Sequence, residues 1–351
     1  MVALYLTSTE SAGKTALCAG IGRKLLDRGL KVGFMEPVHL IRADHTDGCE
    51  DAVFIKDSLR LAESEELICP FHLSQHELWR NLTEDSANFS HNLKQAYRKI
   101  SRGKDIVIME GLSDLGVDKV STLACYMVAD ALEARLIIVI QYASNFDVSK
   151  IVEINNKVKH LVGVVINLVP VSKIETAGHR LAASFKNAGI KVLGILPEVR
   201  SLLGLSVGEL AKVLGGDVLT SPEKIDEIVE NVMVGSMTVD SGINYFSRKG
   251  NKAVVVRGER ADMQLAALET PTKCLVVANN VNPLPFVMVR AQEKHVPIIM
   301  VKQDVSGAVA VIEEALTKAG FHSQRKLDAF GEVLNSRFDF GALYSELGLE
   351  A

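Results

Sequence analysis

Residues Thr7 to Thr15 read TSTESAGKT, and Gly13-Lys14-Thr15 within them joins three residue types suited to polyphosphate. A glycine lets the backbone approach a phosphate closely. An ammonium supplies a point charge for the β- and γ-phosphates, and a hydroxyl suits Mg²⁺ coordination. A helix opening here adds the unpaired N–H groups of its first turn and the positive end of its dipole. Thr9, Glu10, Ser11, Ala12, Gly13, Lys14, Thr15 and Ala16 are therefore the expected contacts to ATP, with Lys14 the group for any phosphate chemistry. Two positions sit awkwardly. Ser8 stands where the full GxxxxGK[ST] pattern has glycine, and Glu10 brings a carboxylate that must face metal or solvent. Thr9 stands where the partition-type variant of the loop carries an extra lysine, which disfavours that class.

The metal that accompanies a triphosphate needs carboxylates. Ile106 to Met109 is an apolar run ending in Glu110-Gly111. An acid at the carboxyl end of a buried strand lies on the ligand face of a doubly wound sheet, where it can hold Mg²⁺ directly or through water. Exposure to solvent is the alternative. A second acidic group, Asp44, Asp47, Glu50 and Asp51, follows the second apolar run, and one of these is expected to complete the metal shell. Asn167, in GVVINLVP, offers an amide donor and acceptor to a purine edge, or else caps a turn before Pro170.

The elements that must position these groups are legible as alternation. Apolar runs at Ala3–Leu6, Val32–Met35, Ile106–Met109, Leu136–Ile140, Val162–Ile166 and Val192–Leu196 are mostly continuous, as in strands covered on both faces. Between them lie amphipathic stretches. In Thr15 to Arg28, Leu17, Ile21 and Leu25 share one face; Val120 to Ala134 and Ser172 to Ala188 behave similarly. Strand and helix in repetition predict an α/β fold with a doubly wound, mainly parallel sheet. Helices are expected over Leu203–Leu214, ended by Gly215-Gly216, and over Pro222–Glu230, with Ser221 as N-cap. Strands return at Ala253–Val256, Cys274–Val277 and Val296–Val301, a second and smaller α/β unit. The polar helical segment from His322 has Phe330, Leu334, Phe338 and Leu343 available for docking. The expected domains are residues 1–203, which bind nucleotide, 204–321, and a C-terminal helical segment 322–351.

Composition narrows the partners. The 351 residues are 48% hydrophobic, enough for two cores, and the net charge of −4 carries no basic stripe for nucleic acid. No apolar run approaches the roughly 18 residues of a membrane span. The N-terminus lacks a basic region and a cleavage pattern, so a cytoplasmic location is expected. Cys18, Cys49, Cys69, Cys125 and Cys274 are scattered without a CxxC pair and read as buried or free thiols, not metal ligands. The nine histidines form no HExxH pair.

Together, the loop TSTESAGKT, Glu110-Gly111, GVVINLVP and Gly194-Ile-Leu-Pro197 resemble the dethiobiotin synthetase family, P-loop proteins that use ATP to activate a carboxylate or carbamate. Glu50-Asp51-Ala52 looks like that family's metal-binding Asp-Ala segment, which implies Asp51 as a ligand beside Thr15 and Glu110. Gly215 to Leu219, Val229 to Met237 and Gly258 to Glu269 resemble the DRTGG domain, with Arg260, Asp262 and Gln264 at its signature positions. The joined layout resembles the N-terminal, non-catalytic half of long bacterial phosphotransacetylases. By analogy with relatives of the first domain, a homodimer is implied.

Three departures shape the functional expectation. The substrate-holding lysine of the synthetases is replaced by Glu36, before Pro37, so dethiobiotin synthesis is not expected. Asn279-Asn280 stand where the DRTGG domain has its glycine pair; asparagine tolerates the left-handed backbone better than most residues. The sequence stops before an acetyl-transferring domain, so that chemistry is not expected. The first expectation is a regulatory nucleotide sensor with ATP and Mg²⁺ at Lys14, Thr15, Asp51 and Glu110, acting on a protein partner. The alternatives are an ATP-dependent ligase or amidase for an unknown carboxylate, and a structural module with a relic loop. Arg260 and Asp262 bind a ligand or simply pair with each other.

Overall fold

Six apolar runs become the six strands of one sheet in the computed structural model, which describes residues 1–41, 49–235, 239–317 and 320–349. Asp44 and Asp47 lie outside the described residues. The strands are β1 (Val2–Ser8), β2 (Val32–Met35), β3 (Ile106–Glu110), β4 (Arg135–Gln141), β5 (Leu161–Val169) and β6 (Val192–Pro197). Their order is β2-β3-β1-β4-β5-β6, and every neighbouring pair is parallel. Helices cover both faces, so Leu4, Leu6, Phe34, Ile108 and Val139 are fully buried and the strand sequences run apolar without alternation. The chain leaves β1 toward β2 and β3 on one side and later adds β4 on the other. The carboxyl ends of these central strands therefore frame the crevice where ligands bind in such sheets.

Helix α1 (Lys14–Asp27) follows β1 directly. Leu17, Ile21 and Leu25 face inward as their spacing requires, and Ala16, Ala19, Gly20 and Gly22 keep its inner faces thin. A Cβ on Gly20 would lie 2.4 Å from Leu334 Cδ1, so the residue must be small where the late helix Gln324–Arg337 crosses. Phe330, Leu334, Phe338 and Leu343 are all buried. Phe338 makes an antiparallel bridge to Gly194, and Arg23 and Lys24 bond to Asp328 and Asn335 at the rim. The structure thus divides into two compact units: Met1–Glu198 with Leu327–Ala351, and Val199–Lys326.

The second unit holds β7 (Asp217–Val218), β8 (Asn231–Gly235), β9 (Lys252–Arg257), β10 (Thr272–Ala278) and β11 (Ile298–Met300), ordered β7-β11-β10-β9-β8. All pairs are parallel except β7 with β11. One face packs Val207, Leu210, Leu214, Ala308 and Ile312; the other packs Phe246, Met263, Ala267, Val287 and Ala291.

Local expectations fail in three places. The helix expected over 222–230 is only a 3-10 turn, Pro222–Lys224. Ser221 takes φ 50° without capping the turn, and Ile228–Val229 pairs antiparallel with Leu205–Ser206, so sheet pairing overrides helix propensity. The helix expected over 203–214 starts later, at Val207, because Ser206 and Glu209 form a capping box. The stretch 172–188 divides into a 3-10 turn, a π turn and the α-helix His179–Asn187.

The cysteines also differ from the free-thiol expectation. Cys18, Cys125 and Cys274 are buried and free, but Cys49 and Cys69 form a disulfide. They lie 20 residues apart in sequence, and packing of two short helices beside the end of β2 brings them together. Among the described residues, no helix is long and apolar enough to cross a membrane.

Candidate functional site

The loop between β1 and α1 is held from below. Gly13 has φ 81°, the left-handed region where glycine is unstrained, and a Cβ there would lie 2.9 Å from Asn167 Nδ2. Asn167, buried on β5, donates from that nitrogen to the Ala12 carbonyl at 2.9 Å. Ala12 N donates to the Glu10 carbonyl, which also accepts from the Ser8 hydroxyl. Ser8 thus replaces the missing glycine with a hydroxyl that folds the loop back on itself. Thr9 N bonds to Val139 O, anchoring the loop to β4. Glu10 and Ser11 are exposed, so the carboxylate that looked misplaced lies at the solvent side.

No side chain caps the start of α1. Its first-turn N–H groups, from Gly13 to Ala16, have no intrahelical partner by the geometry of any helix start. Lys14 is buried to 8% exposure, and its Nζ donates to Ser8 Oγ at 3.1 Å and Ser113 Oγ at 2.6 Å. Ser113 escaped the sequence reading; the available signal was a hydroxyl three residues beyond the strand-end acid. Its loop is fixed by Thr7 Oγ1 donating to Leu112 O and by Gly111 N donating to Leu6 O. Gly111 must be glycine, because a Cβ would fall 2.4 Å from the Tyr5 hydroxyl.

Parallel pairing of β1 and β3 sets Leu6 opposite Glu110, which brings that carboxylate beneath the first turn of α1. Thr15 Oγ1 donates to Glu110 Oε1 at 2.8 Å. The other oxygen, Oε2, is buried with no hydrogen-bond partner among the described residues. Burial pushes the Glu110 carboxyl up to about 8; the Lys14 ammonium opposes this, the Asp51 and Glu36 carboxylates add to it, and the Thr15 hydroxyl lowers it. Asp51 is exposed in the first turn of Glu50–Ser58, which turns Ala52 and Ile55 inward. Its effect on Glu110 brings Lys14, Thr15, Glu110 and Asp51 into one electrostatic neighbourhood. Asn167 supports the loop through its amide nitrogen.

A buried carboxylate oxygen lacking a donor, beside a hydroxyl and an acid, is a fitting environment for a hard divalent cation with oxygen ligands. The ammonium and the helix start fit a polyphosphate. In the second unit, Arg260 Nε and Nη2 grip Asp262 at 2.9 and 2.8 Å. Gln264 is fully buried and donates to the Arg257 and Gly258 carbonyls. Asn279 and Asn280 both take positive φ, 69° and 53°.

Comparison with known proteins matches residues 2–204 to the AAA domain family and residues 209–315 to the DRTGG domain. The phosphate acetyltransferase of Nitratidesulfovibrio vulgaris is 24% identical over 98% of this chain and 51% of its own length. The ATP-dependent dethiobiotin synthetase of Methanococcus vannielii is 28% identical over 32% of this chain and 53% of its own length. The chain therefore spans about half the length of the curated relatives it matches. Among solved structures, the CBS and DRTGG domains of a Clostridium perfringens pyrophosphatase align with 38% of this chain and 67% of theirs, at 15% identity and a TM-score of 0.28.

Proposed function

This chain belongs to the AAA domain family through residues 2–204, and from that premise we propose that it is a regulatory nucleotide sensor that binds ATP with Mg²⁺ and turns it over negligibly. Lys14 and the first-turn N–H groups of α1 receive the β- and γ-phosphates. Thr15, Glu110 and Asp51 hold the cation. Mg²⁺, when bound, supplies the positive charge that offsets the triphosphate. The observation that carries this reading is the buried Oε2 of Glu110, unpartnered among the described residues, beside the Thr15 hydroxyl. A buried carboxyl oxygen without a partner is costly unless a proton or a cation satisfies it, and a bound cation favours the ionised form.

Among the described residues, Lys14 Nζ is held by two neutral acceptors, the Ser8 and Ser113 hydroxyls. Exchanging two neutral acceptors for phosphate oxygens costs the ammonium little and gains charge-assisted bonds. Asn167 and Ser8 keep the loop in shape before the nucleotide arrives, so little ordering entropy opposes binding.

The second reading is an ATP-dependent carboxylate ligase, for which Lys14 would be the catalytic residue. Glu36 weighs against it: the position that holds an anionic substrate in the synthetases carries a carboxylate, 2.9 Å from His39 Nδ1. Calorimetry with ATP and Mg²⁺, paired with a phosphate-release assay, separates the two. A saturable, Mg²⁺-dependent heat with no phosphate release above background is the expected result. Release stimulated by a small carboxylate selects the ligase, and no heat at all removes both readings.

A further inference from the structure

Four side chains of the first unit direct ligand atoms at one point that phosphate binding does not use. Glu36 and His39 follow β2, Cys49 precedes the helix Glu50–Ser58, and Cys69 ends the helix Glu65–Ile68. One ligand atom from each lies within 4.8 Å of every other. Glu36 Oε1 is 2.9 Å from His39 Nδ1, and Glu36 Oε2 is 3.9 Å from Cys69 Sγ. A fifth group stands behind them, with His72 Nε2 3.3 Å from Cys49 Sγ. Cys49 and Cys69 are buried, while Glu36 and His39 retain a narrow opening to solvent.

The donor set has a definite chemical preference. Two thiolates with an imidazole and a carboxylate suit tetrahedral Zn²⁺; Mg²⁺ takes oxygen ligands in octahedral geometry. Zinc bond lengths imply ligand–ligand edges of about 3.3–3.8 Å in a tetrahedron. The 4.8 Å within which all four ligand atoms lie exceeds those edges by only about 1–1.5 Å. The backbone gives such an ion something to hold. His39–Leu40 and His72–Leu73 form only a two-residue pair, and the cluster under it centres on Val38, Leu78, Phe89 and Ala124. An ion bound by Glu36, His39, Cys49 and Cys69 would tie three successive chain segments, the usual logic of a structural zinc.

We propose that the reduced chain binds one Zn²⁺ through Cys49, Cys69, His39 and Glu36, and that the Cys49–Cys69 disulfide is the oxidised, metal-free form of the same site. The interconversion balances with an external dithiol as reductant. The dithiol thiolate attacks one sulfur and the protein S–S bond breaks; the reductant's second thiolate then attacks the mixed disulfide, giving two protein thiols and a cyclic disulfide. Zinc then displaces both thiol protons to solvent and binds the two thiolates. His72 donates to the Cys49 sulfur and offsets part of the excess negative charge, a supporting role and not a fifth ligand. None of this rests on the nucleotide reading, because none of the four ligands is assigned to phosphate or Mg²⁺.

The test uses the full chain, reduced with dithiothreitol under nitrogen, passed through a desalting column and titrated with Co²⁺ alone as the spectroscopic stand-in for Zn²⁺. One Co²⁺ per chain is expected, with a thiolate-to-cobalt charge-transfer band and the intense visible absorption of a tetrahedral ion. Equimolar Zn²⁺ should abolish both. The unreduced chain should give neither. Cys69→Ser should lose about half the charge-transfer intensity, and His39→Ala should weaken Co²⁺ binding at least tenfold while keeping the band. The His39 variant retains both sulfurs, so it stays informative if the cysteine variant fails to fold. Absence of the band after verified reduction overturns the proposal. So does its persistence at full intensity in folded Cys69→Ser, or its loss in Cys274→Ala, whose thiol lies in the other unit.

Discussion

Thr15 Oγ1 donates to Glu110 Oε1 at 2.8 Å across 95 residues of chain, tying the start of α1 to the end of β3. The bond uses one carboxylate oxygen and one hydroxyl and leaves Glu110 Oε2 buried without a donor among the described residues. Two elements chosen by ordinary parallel pairing thus bring an acid, a hydroxyl and the Lys14 ammonium to one end of the sheet.

Lys14 is the simplest residue to test. It is the ammonium at the helix start, and its Nζ is held by neutral hydroxyls. Lys14→Ala should weaken ATP binding at least tenfold, about 1.4 kcal/mol or more, measured by calorimetry at fixed Mg²⁺. Its thermal midpoint should change little, because Ser113 is half-buried and the buried Ser8 hydroxyl keeps its bond to the Glu10 carbonyl. Equal affinity in both proteins would remove the loop from the binding site.

Glu110 makes the metal-free chain sensitive to pH in a stated direction. Its carboxyl is raised from 4.5 to about 8, so between those values the folded state holds a proton that the unfolded state has lost. The stability this gives is fully present below about 4.5 and is lost as pH rises through about 8. The thermal midpoint of wild type should therefore fall relative to Glu110→Gln across this window. Saturating ATP with Mg²⁺ should reduce the fall, since a bound cation favours the ionised carboxylate. Parallel midpoint curves for the two proteins would argue against a buried, titrating Glu110.

Much of this was readable from sequence, for reasons that differ by residue. The six strands of the first sheet follow from continuous apolar runs, since burial on both faces leaves no alternation to confuse with a surface strand. The placement of Lys14, Thr15 and Glu110 at one end of the sheet was legible because a strand-to-helix junction and a strand end are local features. Asn167 was not, because its partner Ala12 lies 155 residues away and only the crossover order of the sheet brings them together. Ser113 was invisible for the same reason, 99 residues from Lys14, whereas the Cys49–Cys69 pair, only 20 residues apart, depends on how two short helices pack. The helix expected over 222–230 failed because a two-residue strand pairing with Leu205–Ser206 has no periodic signature.

Gly13 and Asn167 should be energetically coupled. Gly13→Ala places a Cβ at φ 81° and 2.9 Å from Asn167 Nδ2, so strain and a clash combine. A destabilisation of about 1–2 kcal/mol is expected, with weaker ATP binding. Asn167→Ala removes the clash but strips the Ala12 carbonyl of its donor, at a cost of about 1–3 kcal/mol. In a urea double-mutant cycle, the Gly13→Ala penalty should therefore shrink in the Asn167→Ala background. Strict additivity would mean that the two residues do not meet in solution.

Asn279 and Asn280, which the sequence resemblance sets at the DRTGG glycine pair, both adopt the left-handed backbone, with φ 69° and 53°. Their N–H groups bond to the Gln303 and Val301 carbonyls, which fixes the turn beyond β10 against the end of β11. The turn therefore needs its backbone shape more than it needs the absence of a side chain. Glycine at either position keeps that shape and loses only the side chain, so Asn279→Gly and Asn280→Gly should change stability by less than about 1 kcal/mol. Valine is β-branched and resists positive φ, so Asn279→Val should cost about 2 kcal/mol or more. Denaturant unfolding of the three variants decides the matter. A valine variant as stable as the glycine variants would mean that the turn does not hold this conformation, and that the asparagines are not substituting for the glycine pair on backbone grounds.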